Sequence, residues 1–388
     1  MKKSFRYRIY PNEEQKDFLQ KTFGCRRFIY NYLLNKNIEQ MKLFKEGSVE
    51  NKPTINEFKM NNLLPKIKEE FEWLSEVSSV VLQQSIKDLS SAFHFFFKRN
   101  GFPQFKSKFG RQSFRLVDRY FNATENSLYI AKCKTPIKII FDRELPSKPS
   151  SLTVIKETDG KYYVSFVCEY IPQIINGSGM IGIDLGLKDF ATFSNGDKIK
   201  NSKFLQKSEK KLKKLQKTLS KKQKGSNNRN KARLKVAKLH SKIKNQKNDF
   251  LHKLSRKLVN ENQVIAIESL NIKGMLKNHK LAKAISSVSW NRFISFLRYK
   301  TIESNWCILV EVDRWFSSTQ TCSFCEYRNS GKGRLKLNQR LWVCPSCDTS
   351  HDRDTNAAQN ILNEAMRIIN ENIEYFRGKI VKMEMETI

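Results

Sequence analysis

Two Cys-x-x-Cys pairs, Cys322/Cys325 and Cys344/Cys347, constrain this chain more than any other feature. They stand in the pattern C-x2-C-x18-C-x2-C and frame a short basic loop. Close cysteine pairs at this separation make a pocket of four thiolates around one Zn2+. All four positions are then filled by protein, so the ion is structural and not catalytic. In a reducing compartment such pairs are metal ligands and not disulfides. The remaining cysteines, Cys25, Cys133, Cys168 and Cys307, are scattered. The pattern predicts a zinc ribbon over 315–352, with His351 and Asp352 as loop residues. Seven residues after the last cysteine, Asp354 opens TNAAQNILNEAMRIINENI, a run with helical spacing. The cradle thus delivers a carboxylate at a helix start.

Two further acids stand at strand ends. Asp184 closes the apolar strand MIGID, and Glu268 closes the compact strand QVIAIE. The order of the three acids is strand, strand, helix. Carboxylates gathered in one place repel one another unless a cation holds them. Hard divalent ions with oxygen ligands, Mg2+ or Mn2+, fit. Two such ions about 4 Å apart activate a water and stabilise the leaving oxygen of a phosphodiester. The trio predicts a metal-dependent nuclease, with Asp184, Glu268 and Asp354 as catalytic residues and metal ligands.

The charge agrees with a polyanionic substrate. Lys plus Arg number 72 against 38 Asp plus Glu, a net charge of +34. Between 201 and 260 there are 21 basic residues and only two acids, Glu209 and Asp249. Leucines recur there at helical spacing, and Gly225-Ser-Asn-Asn-Arg-Asn breaks the run. An antiparallel helical hairpin is expected over 203–258, with a thin apolar seam and a basic outer face. Few acids means few intrahelical ion pairs, so a phosphate backbone is the better partner for that face. Candidate contacts are Lys211, Lys214, Lys222, Arg229 and Arg233 here, and Arg26, Gln84 and Lys106 upstream. No run approaches the ~18 apolar residues that span a bilayer. The basic start MKKSFRYRIYPNEEQ lacks the apolar region of a secretory signal. A cytoplasmic, nucleoid-associated protein is expected, with no membrane partner and no small-molecule substrate.

Upstream, residues 3–10 alternate as a strand ended by Pro11, and Asn12-Glu-Glu starts a helical region that runs to about Arg99. Phe93, Phe96 and Phe97 are expected on a helix core face. GFPQFKSKFG interleaves basic and aromatic residues, a pattern that suits a phosphate backbone and base stacking. From 113 to 170 the period shifts to two, in five runs separated by turn residues. These give a small barrel or curled sheet, 1–10 with 111–175, into which residues 11–110 are a helical insertion. Ile171–Met180 is a linker, 176–388 the third region, 280–304 one helix, and 380–388 an exposed tail.

GIDLGLK, AIESLNIKGM, the two CxxC pairs and DRDTNAAQNIL together resemble the TnpB (OrfB) family of insertion-sequence proteins, which is similar to the nuclease half of type V CRISPR effectors. The likeness is strong from about 176 to 365 and weaker in KSFRYRIYPNEEQ, the run Cys25-Arg-Arg-Phe-Ile-Tyr-Asn-Tyr and GFPQFKSKFGRQSFR. It implies a chain of α/β plus α+β class. An RNase H-like (RuvC) nuclease domain with a zinc-ribbon insertion would follow a wedge-type β-barrel that carries a helical recognition insertion. It also implies an RNA-guided endonuclease that takes a guide RNA from the transposon end and cuts double-stranded DNA beside a short transposon-associated motif. Residue by residue, Asp184, Glu268 and the second acid of DRD, Asp354, match the catalytic acids, and the four cysteines match the zinc ligands. The family often has glycine after the second cysteine of each knuckle. Glu326 and Asp348 stand there instead, which makes the tight turn costlier. The alternative is a catalytically weak accessory or regulator of transposition that binds guide RNA and DNA. A protein that only binds would have lost at least one acid, and all three are present.

Overall fold

Strand β1 (Lys2–Tyr10) buries Phe5, Tyr7 and Ile9 and exposes the residues between them. Asn12 then caps α1 (Glu13–Lys45) in a reciprocal box: its Oδ1 accepts from Gln15 N at 2.8 Å, and Gln15 Oε1 accepts from Asn12 N at 2.9 Å. Helices α2 (Glu57–Asn62), α3 (Leu64–Glu70) and α4 (Ser79–Phe97) complete the helical segment around Ile29, Leu33, Leu82, Leu89 and Phe93. The expected aromatic face of α4 is only partly formed. Phe93 is fully buried and Phe96 packs on Phe102 at 5.1 Å, but Phe97 is 61% exposed. The helix ends at Phe97, whose ring lies on the solvent side of the last turn.

Strands β2 (Gln112–Val117), β3 (Phe121–Ala123), β4 (Ser127–Ile130), β5 (Ile137–Ile140), β6 (Ser151–Lys156) and β7 (Tyr162–Glu169) follow. The first of the five expected runs is two strands, because the short 3-10 turn Asp118–Tyr120 splits FRLVDRYF. Among the described residues the sheet order is β2-β6-β7-β1-β5-β4-β3, so β1 lies in the middle, antiparallel to β7 and β5. The two edge strands, β2 and β3, are joined by that single turn. The sheet therefore curls back on itself as a nearly closed barrel around Phe114, Leu116, Val154, Val164 and Phe166.

This computed structural model describes residues 1–50, 53, 55–98, 101–172, 177–304, 306–336 and 338–372; the expected tail, 380–388, lies outside them. The chain divides into two units, Met1–Ile171 with Arg233–Lys238, and Pro172–Ala232 with Leu239–Ile388. The second begins with β8 (Gly179–Asp184), β9 (Asp189–Phe193) and β10 (Lys198–Lys200), a meander. Helices α5 (Phe204–Ser220) and α6 (Asn227–Glu261) follow, with Ser226 as the cap of α6. Phe204 meets Phe250 at 6.4 Å, and Arg229 Nη1 donates to the carbonyls of Leu219 and Lys222 at the other end.

Then come β11 (Asn262–Glu268), α7 (Ile272–Met275), α8 (His279–Val288), α9 (Trp290–Ser304) and β12 (Ile308–Val312). The single helix expected over 280–304 is broken at Ser289, whose left-handed backbone (φ 68°) ends α8. The cysteine-rich region holds β13 (Leu341–Val343) and β14 (Ser350–Asp352), and α10 (Arg353–Glu371) follows directly. The main sheet has the order β10-β9-β8-β11-β12, with β8, β11 and β12 parallel. Its faces are covered separately. Ile181, Ile183, Ile265 and Ile267 pack on α6, α8 and α9, whereas Ala266, Val310 and Val312 pack on Ile361 and Ala365 of α10. Among the described residues, no helix is long and apolar enough to cross a membrane.

Candidate acid site and metal centre

The period of a strand decides where the acids point. On β8, Ile181 and Ile183 face α6, so Gly182 and Asp184 face α10; on β11, Ile265 and Ile267 do the same, so Ala266 and Glu268 face α10. β8 and β11 run parallel with Gly182 opposite Ala266 and Ile183 opposite Ile267, which brings Asp184 and Glu268 to the same carboxyl edge. Helix α10 supplies the third acid in its first turn. It approaches β8 closely because residue 182 is glycine: a Cβ there would stand 2.0 Å from the Ala358 carbonyl oxygen and 2.9 Å from Leu362 Cβ.

The acids feel one another. Asp184 is pushed up from the ordinary carboxylate value to about 7, first by burial and then by the charges of Asp354 and Glu268. Burial also raises Glu268. Arg340, on the basic loop, donates Nη1 to Asp354 Oδ1 at 2.5 Å. It is the site residue that sequence reasoning missed, because nothing in a run of basic loop residues separates this arginine from its neighbours. Asp352 is also more than a loop residue. It is the N-cap of α10, accepting from Asp354 N (3.2 Å) and Thr355 N (3.0 Å), and Lys198 Nζ of β10 pairs with its other oxygen at 2.8 Å. Burial works to raise its carboxyl, but Lys198 and Thr355 hold it below the usual range. The residue that starts the helix is thereby tied to the sheet that carries Asp184.

The cysteines form a separate centre. All four Sγ atoms lie within 4.8 Å of one another, with Cys322–Cys347 at 3.7 Å and Cys325–Cys344 at 3.6 Å. A tetrahedral zinc with Zn–S of ~2.3 Å has S···S edges of about 3.8 Å, so the donor set and its spacing fit Zn2+. Each knuckle has the same turn: Glu326 N donates to Cys322 O and Asp348 N to Cys344 O, both at 3.0 Å. Glu326 (φ 62°) and Asp348 (φ 54°) adopt the left-handed conformation that glycine would take without strain. His351, expected in a loop, sits in β14, buried against Trp342, with Nε2 3.1 Å from Cys322 Sγ. Among the described residues, this quartet alone draws three or more such ligand atoms that close; the three acids stand farther apart.

A family model described as "Probable transposase" matches residues 165–279, and a "Cas12f1-like, TNB domain" matches 290–361. A Streptomyces pristinaespiralis protein named "Putative RNA-guided DNA endonuclease" is 40% identical over 93% of this chain and 89% of its own length. The chain belongs to the TnpB (OrfB) family. A relative from Escherichia coli (strain K12), given the same name with the suffix InsQ, is 28% identical over 92% of this chain and 91% of its own length. The fold is also similar to the protein in the cryo-EM structure of a Cas12f1–sgRNA–target DNA complex. That match has a TM-score of 0.54 at 13% identity and covers 90% of this chain and 83% of that one. A model described as "Helix-turn-helix domain" matches residues 1–46. In this TnpB-family chain that stretch is one strand and one unbroken 33-residue helix.

The basic candidates are of two kinds. Lys211, Lys214, Lys222 and Arg233 are exposed, as is Lys106, whose ammonium lies 4.7 Å from the Tyr30 ring. Arg26 is paired with Asp88 at 2.5 Å, Gln84 is half-buried, and Arg229 is held by the turn carbonyls of the hairpin.

Proposed function

We propose that the chain is an RNA-guided, divalent-metal-dependent DNA endonuclease whose second unit is an RNase H-like nuclease. The observation that carries this is the convergence of Asp184, Glu268 and Asp354, from two parallel strands and a helix start, on one face of one sheet. A three-strand meander continued by two parallel strands, with helices on both faces, supports the RNase H-like assignment.

Burial and then the charges of Asp354 and Glu268 raise Asp184, and oxygen donors gathered in this way suit Mg2+ or Mn2+. Bound there, such ions would supply an activated water and charge stabilisation at the leaving oxygen. The protein's own part is positional. Gly182 admits α10, Asp352 and Lys198 fix its first turn, and Arg340 places a positive charge beside Asp354 where phosphate charge develops. The zinc ribbon holds the loop that carries Arg340. Residues 1–10 with 111–175 would be the wedge, 11–110 the recognition insertion and 203–258 the backbone-holding hairpin, serving a guide RNA from the transposon end and a DNA target beside a short motif. The names of the two relatives support this reading.

The test is to sequence the RNA that co-purifies with the protein and then to assay cleavage of a plasmid library with randomised flanks. A defined RNA matching the gene's own 3′ flank, and cutting next to one motif, are expected. Asp184→Ala should keep the RNA and stop cutting. Random RNA, with no guide that restores cleavage, would sink the proposal.

A further inference from the structure

Three residues beyond the end of β12, Trp315 holds its indole 76% exposed. Val312 pairs in register with Glu268, and Ser269 N donates to Val312 O at 2.9 Å. Trp315 therefore lies no more than about 11 Å of chain from the strand neighbour of a site acid.

Its backbone is pinned on both sides. Trp315 N donates to Asp313 Oδ1 at 2.7 Å, and Phe316 N to Asp313 O at 3.1 Å. The Phe316 ring packs into the core beneath α10, and Asn360 of α10 donates to Ser318 O at 2.7 Å. Against the indole itself stands the Arg314 guanidinium, 4.7 Å from the ring. A turn anchored this firmly that still aims its largest side chain at solvent presents a preformed aromatic face, which binds with little further loss of side-chain freedom.

We propose that Trp315 is the stacking platform for one unpaired nucleobase of the strand at the acid site, with Arg314 beside it for the adjacent phosphate. The substrate rests on the nuclease reading above. A net charge of +34 selects a polyanionic occupant. A duplex keeps its base faces in its own stack, so a lone indole discriminates for a strand that is already open. Arg314 reinforces the platform through its contact with the ring and leaves N–H groups for phosphate oxygens.

The test uses full-length, zinc-loaded protein in an Asp184→Ala background, so that binding is read without cleavage. The probe is a ten-nucleotide oligodeoxythymidine carrying 2-aminopurine at successive positions. Quenching at one or two positions is expected. Trp315→Ala should abolish it and weaken binding roughly 5- to 150-fold, the range of one lost base stack. Trp315→Phe should recover most of the affinity, and binding of a duplex of the same sequence should not change. Equal affinity of Trp315→Ala and its parent would overturn the proposal, as would equal losses on single strand and duplex. The melting temperature of Trp315→Ala should match the parent's, since the residue is largely exposed. If it does not, Arg314→Ala carries the test, and wild-type affinity of that variant would overturn it. Failure of the nuclease reading would appear separately, as absent cleavage by the unaltered protein with this binding series intact.

Discussion

Replacing Asp184 by asparagine should stabilise the protein in magnesium-free buffer while stopping catalysis. The carboxyl is raised from its ordinary value of 3.8 to about 7 by burial and by Asp354 and Glu268. At full value a shift of about three units corresponds to ~4 kcal/mol. Asp184 keeps some contact with water, and screening reduces this to about 1–2 kcal/mol. The sign follows from which form the fold prefers. The protonated carboxyl fits better than the ionised one, so its contribution is complete below pH 4 and is lost as pH rises through about 7. Asparagine keeps the shape and removes the charge. For a unit of this size each kcal/mol moves the melting temperature by about 2–4 °C, so Asp184→Asn should melt roughly 2–8 °C higher at pH 8 and scarcely differently at pH 4. Differential scanning fluorimetry of zinc-loaded protein at both pH values reads this directly. Added Mg2+ should raise the parent's melting temperature and not the variant's. A variant that melts lower at pH 8, or gains equally at both pH values, would refute the idea that burial and its acid neighbours make the ionised Asp184 costly.

Other consequences follow from the same contacts. Gly182→Ala puts a methyl into the Ala358 carbonyl; it should cost about 1–3 kcal/mol and lower cleavage through displacement of α10, both read by melting and by turnover. Asp352→Ala removes the cap of α10 and the Lys198 pair together and should cost ~1 kcal/mol or somewhat more, whereas Asp352→Asn keeps the cap and should retain most of that stability in a denaturant titration. Cys344→Ser should take zinc from one equivalent to near none by atomic emission, and hydrogen exchange should rise across 315–352 while β8 and β11 stay protected. Glu326→Gly and Asp348→Gly, at left-handed positions, should each stabilise the zinc-bound form, by about 0.5–1 kcal/mol; a loss instead would mean that these side chains hold the knuckles in another way.

Local chemistry made part of this protein legible in its sequence. The cysteine spacing, the alternation of β1, the cap at Asn12 and the breaks at Gly225 and Ser226 depend on neighbours a few residues apart, and the structure has them where the pattern puts them. Asp184 and Glu268 were visible as strand ends, because a charged residue after an apolar run marks an edge. Their common direction was not visible. It depends on β8 and β11 being parallel neighbours in one register, and on both strands turning even-numbered positions toward α10. That pairing spans more than 80 residues of intervening chain. The clash that reserves position 182 for glycine, the Arg340–Asp354 contact, the Lys198–Asp352 tie and the pinned turn beneath Trp315 are equally non-local. Sequence by itself determined which chemical groups the chain carries and which short elements bear them. Only the tertiary structure decided which groups meet, because contacts between distant segments are set by sheet register and helix packing, which local periodicity does not encode.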